Sequence, residues 1–192
     1  MKKLGTVGII IGITIFNLFV KTKNNIIYSK DNRTSKRILV VYHSETGATE
    51  KVAKMIQQKL GADILKIEPV VAYDTKNLSA LKSLVTKQQR EKTKVAIKSP
   101  NKSVSNYDVI LIGTPAWFSK VSPPMESYIE SQNFSNKTVA MFTTYDGVYG
   151  NVLMDFEKNV KAKEVKKGMA FSGSQIRNGI DKDLNTWLNN IK

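Results

Sequence analysis

Three short stretches of this sequence carry side chains able to do chemistry. The first is Ser44-Glu45-Thr46-Gly47-Ala48-Thr49-Glu50, which gathers three hydroxyls around a glycine just before a segment of helical period. Hydroxyls and backbone N–H groups converging on a helix N-terminus favour an anion, because the first amides have no partner within the helix and the helix dipole is positive there. Gly47 lets the chain turn tightly and approach a ligand closely. The loop lacks the Gly-Lys-Ser/Thr ending of a nucleotide-triphosphate loop and the G-x-G-x-x-G of a dinucleotide fold, so a single phosphate is the expected guest. The competing reading is that Ser44 or Thr46 only caps the helix. The second and third stretches, Gly113-Thr114-Pro115-Ala116-Trp117-Phe118-Ser119-Lys120 and Thr143-Thr144-Tyr145-Asp146-Gly147-Val148-Tyr149-Gly150, are aromatic and contain glycine. A flat aromatic ligand with a phosphate tail suits all three together.

The elements that must position these loops are legible as alternating periods. Strands are expected at 38–43, 62–67, 107–113, 138–144 and 167–171, the first, third and fourth being nearly continuous apolar runs of the kind covered on both faces. Helical periods fill 49–60, 78–91, 123–131, 151–161 and 182–191, with Val52, Ala53, Ile56 and Leu60 on one stripe. Strand and helix in alternation predict an α/β domain, a doubly wound parallel sheet of five strands in three layers. Ligands of such sheets sit beyond the carboxyl ends of the strands, where all three loops emerge. The polar stretch 86–106 has no clear pattern.

Composition narrows the chemistry further. The 192 residues include no cysteine and one histidine, His43, so disulfides, thiolate metal sites, iron–sulfur clusters and multi-histidine sites are excluded. A packed or solvent-facing imidazole is the expectation for His43. The net charge of +14 is uneven. Residues 1–36 hold Lys2, Lys3, Lys21, Lys23, Lys30, Arg33 and Lys36 against Asp31; removing that +6 leaves +8 for the rest. The remaining cations are mostly scattered lysines, without the arginine stripe and interleaved aromatics of a nucleic-acid reader, so no nucleic acid is expected as a partner.

Residues 4–20, LGTVGIIIGITIFNLFV, are uncharged and flanked by lysines. As a helix they would reach about 26 Å, near the lower limit for a bilayer core. A retained membrane anchor over 1–23 is expected in preference to a cleaved signal, since no small-residue cleavage pattern follows Val20, and in preference to a core helix. Residues 24–36 read as a polar tether and 37–192 as the folded domain. The side of the membrane is open; counting positive charges favours the cytoplasm.

Val40-Val41-Tyr42-His43-Ser44-Glu45-Thr46-Gly47-Ala48-Thr49 and Tyr107-Asp108-Val109-Ile110-Leu111-Ile112-Gly113-Thr114-Pro115-Ala116-Trp117 together resemble the flavodoxin family, from about Arg37 to the C-terminus. The resemblance implies a flavodoxin-like fold and FMN as cofactor. It implies that Ser44, Thr46, Gly47, Ala48 and Thr49 wrap the phosphate and that Trp117 lies against the isoalloxazine, with Pro115, Ala116 and Phe118 shaping its loop. Thr144, Tyr145, Asp146, Gly147 and Tyr149 would border the ring's other side. Two departures stand out: Ala48 replaces an asparagine common in relatives, and the domain is basic where flavodoxins that dock on reductases are acidic. An acidic redox protein or anionic lipid is therefore the expected partner. The function expected is a membrane-tethered electron carrier. The alternatives are an FMN-dependent NAD(P)H:quinone or protoporphyrinogen-type oxidoreductase and a cofactor-free interaction module.

Overall fold

The computed structural model describes residues 36–191; the expected anchor, and the tether up to residue 35, lie outside the described residues. Strand β1 (Ile38–Tyr42) leads into helix α1 (Ala48–Leu60), β2 (Asp63–Lys66) and α2 (Leu78–Glu91). A short 3-10 turn (Val104–Asn106) precedes β3 (Val109–Trp117), which folds back as β4 (Lys120–Val121) before α3 (Pro123–Ser131). Then come β5 (Phe134–Tyr145), α4 (Val152–Asn159), β6 (Ala162–Val165), β7 (Met169–Ser172), α5 (Gly173–Asn178) and α6 (Asp181–Asn189).

The sheet order is β2-β1-β3-β5-β6, every neighbour parallel, with β4 antiparallel to β3 and β7 parallel to β5. Seven strands therefore replace the five expected. The strand expected at 167–171 is β7, beside the last four residues of β5, and the two strands not expected are β4 and β6, the latter beside the first part of β5. Between β6 and β7, backbone groups that would have continued the ladder are taken by side chains: Trp187 Nε1 donates to the Lys167 carbonyl at 2.8 Å and the Gly168 N–H donates to Glu157 at 2.7 Å. The start of β5 escapes a hydrophobic reading because Ser135 and Asn136 are exposed.

Alternation along the central strands divides the core into two layers. Val40, Tyr42, Val109, Leu111, Ala140 and Phe142 pack with Val52 and Ile56 of α1, Ile176 of α5 and Leu184 and Leu188 of α6. Leu39, Val41, Ile110, Ile112, Val139 and Met141 face Met125 and Tyr128 of α3 and Val152 and Phe156 of α4. Period-two strands sandwiched between helices require this segregation. Leu81 and Val85 of α2 form a smaller cluster with Tyr73 from the preceding loop, packed with Trp117. The patternless segment after α2 turns at Lys92, left-handed at φ 50°, and runs back beside residues 68–70 through Val70 N–H to Ala96 O and Lys98 N–H to Glu68 O. Those bonds are to backbone, so no side-chain pattern announces them.

Among the described residues no helix is long and apolar enough to cross a membrane.

Candidate functional site

At the carboxyl ends of β1, β3 and β5 lies a cleft of about 490 Å³, within the roughly 300–1,000 Å³ usual for a small-molecule or cofactor site. Ser44, Thr46, Ala48 and Thr49 line one part; Pro115, Ala116, Trp117 and Phe118 line another; Thr144, Tyr145, Asp146 and Gly147 complete the residues expected from the sequence. Gly47 and Tyr149 are not in the lining. Gly47 acts through its backbone, and Tyr149 packs against Tyr145 with ring centres 5.0 Å apart and planes tilted by 53°.

The polar end is built from backbone. Gly47, at φ 90°, is the N-cap of α1, and no side chain caps the helix. The capping alternative for Ser44 and Thr46 is thereby corrected: the Ser44 hydroxyl accepts from the Gly47 N–H at 3.2 Å, closing the loop one residue ahead of the helix. Among the described residues the first amides of α1 have no side-chain partner, and Thr46 is exposed beside them. Thr49, buried, shares a 2.8 Å hydrogen bond with Thr144 Oγ1 that ties α1 to the end of β5.

The aromatic end is strand rather than loop. Thr114 and Pro115 continue β3 beside Thr143 and Thr144, and Ala116 and Trp117 pair with Val121 and Lys120 of β4. Phe118 and Ser119 form the two-residue tip with φ of 51° and 64°. Two successive positive φ values characterise the type I′ turn, whose twist matches that of the strands but which ordinarily takes glycine or asparagine. Phe118 stands 41% exposed on this tip. Gly150 lies so close behind it that a Cβ there would sit 2.4 Å from the Ser119 Cβ, so the two aromatic loops abut.

Trp117 is wedged edge-on between His43 at 5.3 Å and Tyr73 at 5.0 Å between ring centres. Gln89 of α2 donates to its carbonyl at 3.0 Å. Tyr73 donates to Gln88 at 2.9 Å, and burial pushes its phenol up to about 12, keeping it neutral. Beneath them His43 is 1% exposed, with Nδ1 2.9 Å from Ser122 Oγ and Nε2 3.2 Å from Glu45 Oε1. Burial holds its imidazole below the usual 6.5 despite the carboxylate. The packed alternative expected for His43 is what the structure shows.

Sequence reasoning missed Glu45, Thr75, Leu78, Leu81, Ser119, Val148 and Gly173 in the lining. Leu78 and Leu81 carry only an amphipathic-helix signal, and it takes the tertiary packing of α2 to bring them to the cleft. Ser119 was visible as a neighbour of Phe118 once the hairpin is recognised.

A family model described as Flavodoxin matches residues 37–191. The chain belongs to the flavodoxin family. It is 25% identical over 107 residues to Flavodoxin 1 of Salmonella typhimurium, a match covering 54% of this chain and 46% of that protein; it thus spans about half the length of the curated relatives it matches. A crystal structure of a candidate flavoprotein from Bacteroides eggerthii superposes with a TM-score of 0.69 at 27% identity, covering 81% of this chain and 98% of that one. A flavoprotein from Lactobacillus acidophilus, crystallised in complex with FMN, superposes with a TM-score of 0.63 at 23% identity over 80% and 99% of the two chains.

Proposed function

We propose that this flavodoxin-family protein binds FMN non-covalently and carries electrons between redox proteins, tethered to a membrane by residues 4–20. The observation that carries the cofactor assignment is the uncapped N-terminus of α1 opening into the same cleft as the aromatic hairpin. The α1 amides would donate hydrogen bonds to a phosphate held there, and the positive end of the 13-residue helix dipole would favour its charge. The residues present fit the group: the loop offers donors at one end, and Trp117 with Tyr145 offers an aromatic enclosure at the other. Family membership and the FMN complex of the Lactobacillus acidophilus relative support the same assignment. Bound FMN supplies one- and two-electron redox chemistry. The protein's part is to hold it: Gly47 shapes the phosphate turn, Thr49 and Thr144 lock that turn to the sheet, and Tyr73 and His43 fix the Trp117 ring against rotation.

The membrane tether is supported by the lysine-flanked apolar run at 4–20, and the basic domain favours an acidic redox partner or an anionic lipid surface. Purified full-length protein should show a flavin absorption spectrum or acquire one with FMN. It should take FMN more tightly than riboflavin, and it should require detergent for extraction from membranes. Colourless protein that takes up no FMN defeats the reading, and rapid quinone reduction by NAD(P)H without an added reductase replaces the carrier with an oxidoreductase.

A further inference from the structure

The anion loop contains a carboxylate, which is a liability for a site that takes a phosphate. Residues 44–49 include one acid, Glu45, and its side chain, 21% exposed, lines the cleft. The next acid, Glu50, is paired with Lys54 one turn along α1. Among the described residues Glu45 has no such cation; its partner is the chain's one histidine, through His43 Nε2 at 3.2 Å.

The buried chain behind His43 decides what that nitrogen offers. A carboxylate oxygen can only accept, so Nε2 carries the hydrogen. In a neutral imidazole Nδ1 must then accept, and it receives the Ser122 hydroxyl hydrogen at 2.9 Å. Ser122 is held in turn by Thr114, whose Oγ1 accepts from the Ser122 N–H at 3.1 Å, and the Thr114 carbonyl accepts from Thr143 at 2.9 Å. Ser122, Thr114 and Thr143 are fully buried. A hydrogen-bonded line therefore runs from the core of β3 and β5 through His43 to a single carboxylate in the cleft. The full burial of Ser122 rules it out as a nucleophile, so this line does not work as a hydrolytic triad.

We propose that His43 is a positioning residue for the anion loop: it draws the Glu45 carboxylate back against the Trp117 side of the cleft, away from the α1 amides, so that the loop accepts a phosphate monoester although it carries an acid. This rests on the FMN assignment above. Freed from His43, the carboxylate would lie within one loop of the bound phosphate and repel it, in a site partly shielded from water where such repulsion is weakly screened.

The test compares FMN and riboflavin binding, by flavin fluorescence quenching, in the full-length protein and its variants. His43→Gln also takes away one of the two rings that hold Trp117, so both flavins should weaken, but FMN about tenfold more than riboflavin, and adding Glu45→Gln should remove most of that difference. Glu45→Asp leaves the buried line untouched but shortens the reach to Nε2, so it should weaken FMN several-fold, whereas Glu45→Gln alone should not weaken it. The imidazole nitrogen resonances of the single histidine should show the Nε2–H form and should shift on Glu45→Gln. Equal losses for both flavins in His43→Gln, no rescue by Glu45→Gln, or an Nδ1–H imidazole overturns the proposal. Wild-type protein that takes FMN no more tightly than riboflavin fails the phosphate assignment itself, and the His43 proposal falls with it.

Discussion

The two ends of the cleft are made by opposite means. At the α1 end the left-handed residue is Gly47, around which a Cβ would meet nothing within 4 Å, and the groups offered to a ligand are backbone amides. At the hairpin end the left-handed residues are Phe118 and Ser119, which carry side chains, and the wall is an indole wedged between His43 and Tyr73. The first design costs little strain and fixes a charge preference. The second accepts strain at its tip to display an aromatic surface, as functional sites often do. The polar end should therefore discriminate between ligands by their phosphate, and the aromatic end should bind any flavin alike.

Trp117→Ala is the hardest test of that contrast. Removing a half-buried indole that organises Tyr73, Leu81 and Val85 should cost about 2 kcal/mol of stability by urea unfolding. It should also weaken FMN and riboflavin by similar factors of tens; a loss confined to FMN would dissolve the distinction between the two ends. Gly47→Ala comes next. Forcing a Cβ into the left-handed region costs about 1–2 kcal/mol, and the loop will relax by giving up its anion geometry. FMN should weaken about tenfold with riboflavin within twofold, and equal losses would show that the loop supports the ring as well. Ser119→Gly should have the smallest effect. Glycine suits the second position of the tip turn, so the protein should gain about 0.5–1 kcal/mol, with both flavin affinities within twofold. A fall in stability would mean that the Ser119 contact with the Gly150 loop outweighs the turn strain.

The fold was largely readable because its elements advertise themselves. Continuous apolar runs at 38–42 and 109–112 and the amphipathic stripe of α1 each satisfy a local rule that the tertiary structure also satisfies. What escaped was decided by pairing at a distance. The hairpin of β3 and β4 reads as a loop because Phe118 and Ser119 are not the glycine or asparagine that its turn ordinarily takes, and α5 is too short to display a period. The break between β6 and β7 depends on Trp187 and Glu157 reaching in from α6 and α4.

The sequence alone determined the parallel sheet, the glycine-turned anion loop and the presence of an aromatic wall, because each rests on residue type and short-range spacing. It also determined which redox devices are excluded, through the missing cysteines. Only the tertiary structure decided that the N-terminus of α1 has no side-chain cap, that Trp117 belongs to a strand clamped by α2, and that His43 faces Glu45 across the end of a buried hydrogen-bonded line. These depend on groups up to 79 residues apart meeting in a dry interior, where one misplaced donor is costly, and no local pattern in a chain encodes such a meeting.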